Sequence, residues 1–401
     1  MDHAELDALL TPEAMELVDG LDPAETEADV ARTVTTLRRA GHGPDLVSAV
    51  VGQVRLRRRA RAKFGEFADR MLFTRAGIEQ ATRMSVSAHH AGRFVRAGLA
   101  RVADLGCGIG GDAIAFGSLG MGVLAVDADE VTAALAAYNL SPFRDGAGSV
   151  EVRCARAEET DLAGVDAVWM DPARRTTGHS ETRRVSADDY SPRLDWAFAL
   201  AERLPTGIKL GPAHDRDAIP DGVEAQWISV DGSTVELVLW SGALARAGVG
   251  RAALVIRRDS AHELTAPGDV EDEPVRALGA FVHEPEGSVI RARLVGDVAR
   301  ALDAGPVADG IAYLTGDAEA TSPFAQSFRV RETLPADPKV LGKALRERGI
   351  GTLEIKKRGV DIDPAALRRK LKLRGDGSAT LIVTRIDGRR VAILADRVSA
   401  P

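Results

Sequence analysis

The residues best equipped for chemistry gather in two short stretches. Residues 102–111 read Val-Ala-Asp-Leu-Gly-Cys-Gly-Ile-Gly-Gly, and some sixty positions later Val-Trp-Met leads into Asp171-Pro172-Ala173-Arg174. Gly106, Gly108 and Gly111 satisfy G-x-G-x-x-G, the spacing that turns a chain sharply off a strand and lets a nucleotide-type cofactor approach the backbone. Side chains at these glycines would collide with that cofactor. Asp171 follows an apolar strand and projects from the same carboxyl edge of a sheet. Together the stretches imply a cofactor clasped at one strand end and a polar reacting group presented at another.

On glycines alone, a nicotinamide dinucleotide and S-adenosylmethionine stay equally open. Asp104, two residues before Gly106, favours the second: a carboxylate there neutralises the methionyl ammonium, whereas it would repel a pyrophosphate. Asp127 ends the second strand, 21 residues after Gly106, and can accept both ribose hydroxyls in either case. Gly108 and Gly110 complete the Asp-x-Gly-x-Gly-x-Gly run. Glu158, after the third strand, suits the adenine amino group.

With a sulfonium donor the methyl group is already electrophilic, so the protein must chiefly align a nucleophile. Asp171 and the Pro172 carbonyl can hold the two hydrogens of an exocyclic amine and localise its lone pair. Asp171, Pro172 and Arg174 are therefore the expected catalytic residues. The tetrapeptide also resembles that of methyltransferases acting on C5 of uracil in RNA, which need a cysteine nucleophile. Here Cys107 lies in the cofactor loop and Cys154 ends the third strand, while the fifth strand leads into Lys209-Leu-Gly-Pro-Ala-His214 without a thiol. Nitrogen is the expected acceptor. Arg174, Arg175, Arg183 and Arg184 around His179 suit phosphate contacts. Tyr190 is the expected base-stacking aromatic, ahead of Phe143 and Trp196.

These residues need a sheet to position them. Residues 1–95 read as helical, with Thr11-Pro12 and Asp22-Pro23 as helix starts. A basic run from Arg57 to Arg61 ends one helix, where it either docks a phosphate or complements the helix dipole. Residues 96–245 alternate short β-branched runs with helical stretches, predicting a parallel α/β sheet. Its strands are Arg101–Leu105, Gly122–Val126, Val150–Cys154, Ala167–Met170 and Gly207–Leu210. A hairpin across Asp231-Gly232 closes it. Residues 246–330 predict a small α+β module, and 331–401 a second one.

Composition sets outer limits. The 401 residues, 45% apolar and 28% charged, describe an ordinary globular protein with two or three domains. An acidic start, two cysteines and no eighteen-residue apolar run predict a cytoplasmic protein without membrane spans, disulfides or metal. Net charge is −7, yet residues 331–401 hold 17 basic against 9 acidic residues, a balance of +8 that leaves −15 on the rest. Such asymmetry points to nucleic acid. Lys356, Lys357 and Arg358, with Arg368, Arg369 and Lys370 on the next helix, are the candidate RNA-binding residues.

The chain resembles bacterial class I methyltransferases with a C-terminal THUMP-like domain. Asp104-Leu-Gly-Cys-Gly-Ile-Gly-Gly-Asp112, Asp171-Pro-Ala-Arg174, Gly77-Ile-Glu-Gln-Ala-Thr82 and Gly351-Thr-Leu-Glu-Ile-Lys-Lys-Arg-Gly359 carry the resemblance. It implies a Rossmann-like catalytic sheet behind a helical start, with a ferredoxin-like module at 246–330 before the THUMP-like one. It also implies S-adenosylmethionine as cofactor and, through the relation to THUMP domains, RNA as substrate. The expected activity is methylation of a base nitrogen in tRNA or rRNA. The alternatives are a small-molecule or protein methyltransferase, or a non-catalytic RNA-binding protein on the same scaffold.

Overall fold

The computed structural model describes residues 1–21, 26–146, 148–174, 190–258 and 260–398. It divides into two compact units, Met1–Leu210 with Leu239–Ala245, and Gly211–Val238 with Arg246–Pro401.

The first unit opens with helices, the longest being Pro44–Phe64. Thr11 caps Pro12–Gly20, its hydroxyl accepting the Ala14 N–H; Asp22 and Pro23 lie outside the described residues. Pro44–Phe64 buries Val47, Val50, Val51, Val54 and Phe64. Arginines of its basic run are spent within the unit. Arg57 is buried against Asp19 (2.6 Å), Arg59 pairs with Glu79 (3.0 Å) and Arg61 with Asp69 (2.8 Å). These contacts tie helix to neighbour rather than hold out charge for a phosphate.

The strands that follow are β1 (Arg101–Leu105), β2 (Gly122–Asp127), β3 (Val150–Cys154), β4 (Ala167–Met170), the short pair β5 (Ala173–Arg174) and β6 (Tyr190–Ser191), and β7 (Thr206–Leu210). Five run parallel in the order β3-β2-β1-β4-β7. The order reverses between β1 and β4, the switch point where open α/β sheets bind ligands. Under it lies an aromatic core. The Trp169 ring sits 4.3 Å from His90 and 5.7 Å from Trp240 between centroids, with Phe94 and Phe116 edge-on at 6.4 Å. Phe143, a candidate for base stacking, instead packs against the helix at Gly117.

β8 (Glu224–Val230), in the second unit, turns into β9 (Ser233–Trp240), whose last two residues belong to the first unit, through Asp231 and Gly232, both at positive φ (+47° and +82°). That is the geometry for which Asp-Gly is selected in tight hairpins. β10 (Arg251–Arg257) lies parallel to β8, and β11 (Ser260–Ala266) antiparallel to β10. A second sheet contains β12 (Phe281–Pro285), β13 (Gly305–Ala308), β14 (Ile311–Gly316), β15 (Ala325–Pro335), β16 (Ile350–Lys357), β17 (Gly377–Ile386) and β18 (Arg389–Arg397). Its order is β13-β14-β12-β15-β18-β17-β16. One face packs under the helices Pro338–Glu347 and Pro364–Leu371 through Leu341, Leu345, Leu367, Leu371, Leu381 and Leu394. Strand alternation sends Val282, Tyr313, Phe328, Ile382 and Ile393 to the other face. The expected borders at 245/246 and 330/331 do not separate sheets. β10 belongs with β8, and β15, which crosses 330/331, pairs with both β12 and β18.

Candidate active site

Two loops meet at the switch point. After β1 the chain turns through Gly106, whose N–H donates to the Val126 carbonyl at 2.8 Å. Gly106 has φ +86°, and a Cβ there would stand 3.3 Å from the Asp171 carbonyl oxygen. Gly110, at φ +88°, then caps the helix Gly111–Ser118. The glycine loop and the Asp171 loop thus touch through backbone, and only glycine permits it.

The helical start supports this loop from outside. Asn139 donates to the carbonyls of Leu72 (3.0 Å) and Ile109 (2.9 Å). A Cβ at Gly77 would fall 2.7 Å from the Ile109 side chain. Lys63 donates to the carbonyls of Glu79 (2.9 Å) and Ala81 (2.8 Å), fixing the segment that ends at Thr82.

Asp104 is 1% exposed, and its Oδ2 has no hydrogen-bond partner among the described residues. Burial, and then the charges of Asp112, Asp171 and Asp127, push its carboxyl well above the usual range. A buried acceptor without a donor is costly, so the position fits a cationic ligand group and fits a pyrophosphate badly. Asp127 is half-buried; its oxygens accept the N–H groups of Gly108 and Asp129, each at 3.0 Å. Burial raises its carboxyl, and those N–H groups offset part of the rise. Glu158 lies exposed on the turn Ala157–Glu159 after β3, 3.4 Å from Arg156. Burial, and then the charges of Asp104 and Asp127, push the Cys107 thiol up, which disfavours the nucleophilic thiolate.

Asp112, in the first turn after the glycine loop, lies 3.0 Å from His90 Nδ1. Burial drives its carboxyl up, but the His90 hydrogen bond and charge outweigh it and hold it at about 2. An acid depressed in the fold stabilises it above the unfolded value near 4 and loses that stabilisation as pH falls toward 2. Asp112→Asn is therefore expected to cost about 1–3 kcal/mol at neutral pH and less near pH 3, as read by urea melts.

At the tip of β4, Asp171 Oδ2 lies 2.5 Å from Lys209 Nζ, and Lys209 also donates to Thr82 Oγ1 at 3.0 Å. Neither Lys209 nor Thr82 was among the expected site residues. The signal was present only as Thr82 closing the Gly77–Thr82 motif and Lys209 near the end of the fifth strand. Pro172 is buried, and the Arg174 backbone pairs with Tyr190 across β5 and β6. Tyr190 is 2% exposed, which removes its ring as an open stacking platform; Trp196 is half-buried in the helix Leu194–Ala201. Arg175, His179, Arg183 and Arg184 lie outside the described residues.

In the second unit the two basic clusters differ. Lys356 pairs with Glu284 at 2.6 Å, and Arg358 lies over the Tyr313 ring at 5.3 Å. Both are turned inward, where β16 approaches β12 and β14. Lys357, Arg368, Arg369 and Lys370 are exposed, and no ion pair engages them among the described residues.

A five-stranded parallel sheet with this order, a glycine loop after β1 and an acidic tip after β4 define the Rossmann-like class I methyltransferase fold. A THUMP domain-like model matches residues 325–397, and a domain of unknown function matches 2–60. Two Mycobacterium tuberculosis proteins, from strains CDC 1551 and H37Rv, are each described as an uncharacterised S-adenosylmethionine-dependent methyltransferase. Each is 34% identical over 360 residues, covering 86% of this chain and 95% of its own. The chain belongs to this family of S-adenosylmethionine-dependent methyltransferases, with a THUMP-like C-terminal domain. The crystal structure of a putative methyltransferase from Porphyromonas gingivalis W83 shares the fold with a TM-score of 0.73 at 20% identity, covering 93% of this chain and 99% of that one. Among the described residues no helix is long and apolar enough to cross a membrane.

Proposed function

We propose that this enzyme transfers the methyl group of S-adenosylmethionine to a base nitrogen of RNA. Asp104 takes the methionyl ammonium, Gly106, Gly108 and Gly110 make room for the cofactor, Asp127 accepts the ribose hydroxyls and Glu158 lies toward the adenine. The observation that carries this reading is the orphaned Asp104 oxygen beneath a glycine loop that touches the Asp171 loop. The cofactor supplies an activated methyl group. What the chain supplies is alignment: Asp171 and the Pro172 carbonyl accept hydrogen bonds from the amine, orient its lone pair and disperse the charge that grows on nitrogen.

RNA is favoured as acceptor by the surplus of exposed basic residues in the THUMP-like region. Lys357, Arg368, Arg369 and Lys370 have the exposure that phosphate contacts need, whereas Lys356 and Arg358 serve the interior. Arg368→Gln/Arg369→Gln/Lys370→Gln is expected to weaken RNA binding several-fold at moderate salt and flatten its salt dependence by about two to three ions. Fluorescence anisotropy across a salt series reads both. Tritiated-methyl transfer into total RNA from cells lacking the protein, followed by nucleoside analysis, tests the function itself. Label in a purine or cytosine amino group supports it; label only in protein or small molecules overturns it.

A further inference from the structure

Lys209 is an unusual residue to find beside a cofactor that carries a positive charge. It is the last residue but one of β7, which runs parallel to β4 with Ile208 opposite Met170, so the next residues, Lys209 and Asp171, come out side by side. Its side chain is 11% exposed, and its ammonium is held between Asp171 Oδ2 at 2.5 Å and Thr82 Oγ1 at 3.0 Å. A lysine buried this far tends to lose its proton unless a carboxylate sits against it. Asp171 has the mirror problem, because Asp104, on the neighbouring strand, repels any further negative charge. Among the described residues, Asp104 acts on both members of the pair, and Asp112 and Lys63 also act on Lys209.

We infer that Lys209 is a positioning residue for methyl transfer: clamped by Thr82, it keeps the Asp171 carboxylate charged and aimed at the incoming amine. The role rests on the assignment of Asp171 to the acceptor site. It also explains why a cation is tolerated here: without it four buried or half-buried carboxylates, Asp104, Asp112, Asp127 and Asp171, would crowd one crevice.

The test compares full-length Lys209→Met, Lys209→Arg and Thr82→Val. Calorimetry with S-adenosylmethionine should give Lys209→Met an affinity equal to wild type or tighter, since a positive charge has been removed from the site of a cation. Methyl transfer into total RNA should fall about a hundredfold, with the acid limb of its pH profile moved up by about one unit. Lys209→Arg should restore the wild-type limb and part of the rate, and Thr82→Val should lose only a few-fold. Carboxyl NMR titration of protein labelled at aspartate Cγ, with Asp171→Asn for assignment, reads the same shift without any acceptor. If wild type labels no RNA, the RNA reading fails and the NMR titration still decides this one. An Asp171 titration unchanged in Lys209→Met, or transfer and cofactor binding lost in parallel, overturns the inference. Should Lys209→Met not fold, a Thr82→Val variant identical to wild type in rate and in Asp171 titration overturns it as well.

Discussion

Asp171→Ala is expected to lower methyl transfer by about 10²- to 10⁴-fold, the range over which one well-placed acid–base or orienting group acts. Cofactor affinity should stay within a few-fold of wild type, because the Asp171 backbone carbonyl that lies against the glycine loop is retained. The variant also strips Lys209 of a carboxylate at 2.5 Å, so Asp171→Asn is the better-folded control. Asparagine keeps the volume and one acceptor oxygen but removes the charge. Isothermal calorimetry and tritium transfer on the same preparations separate binding from turnover. A rate within threefold of wild type in both variants would remove Asp171 from the acceptor site.

Asp104→Asn should move stability and cofactor affinity in opposite directions. In the free protein this carboxyl is raised well above its usual value, chiefly by burial and then by three neighbouring carboxylates. A raised acid binds more protons folded than unfolded, so it costs stability as pH climbs from the unfolded value near 4 through the folded one. Replacing it with asparagine ends that cost, and Tm of the free protein should rise at pH 8 and change little at pH 4. Cofactor affinity should fall roughly ten- to a hundredfold, the loss expected for a hydrogen bond between charged groups. In wild type, affinity should increase with pH until Asp104 is ionised and then level off. Calorimetry in two buffers of different ionisation heat would detect the proton released on binding.

The parts of this architecture visible from sequence are those written locally. The glycine spacing demanded left-handed backbone near Asp104, and Gly106 and Gly110 adopt it. Asp231-Gly232 demanded a tight hairpin, and both residues take positive φ. β1, β2 and β4 showed themselves as short, largely apolar runs because both faces of a parallel sheet are buried.

What stayed hidden depends on residues far apart in the chain. Thr82 and Lys209 are separated by 127 positions, and no local pattern announces that they meet. Lys356 and Arg358 look like neighbours of Lys357 on a basic strand. Only the approach of β16 to β12 reveals that Glu284 takes Lys356. β11 escaped notice because six of its seven residues are exposed or half-buried and it lacks apolar alternation. β15 ends at Leu334-Pro335, and two residues later Asp337 caps the next helix.

A crystal structure with S-adenosylhomocysteine bound would decide where the cofactor lies. Its amino group is expected within hydrogen-bonding distance of Asp104 Oδ2, its ribose hydroxyls on Asp127, and its sulfur facing the Asp171 side of the crevice. An adenosyl group bound elsewhere, or an amino group turned away from Asp104, would contradict that placement.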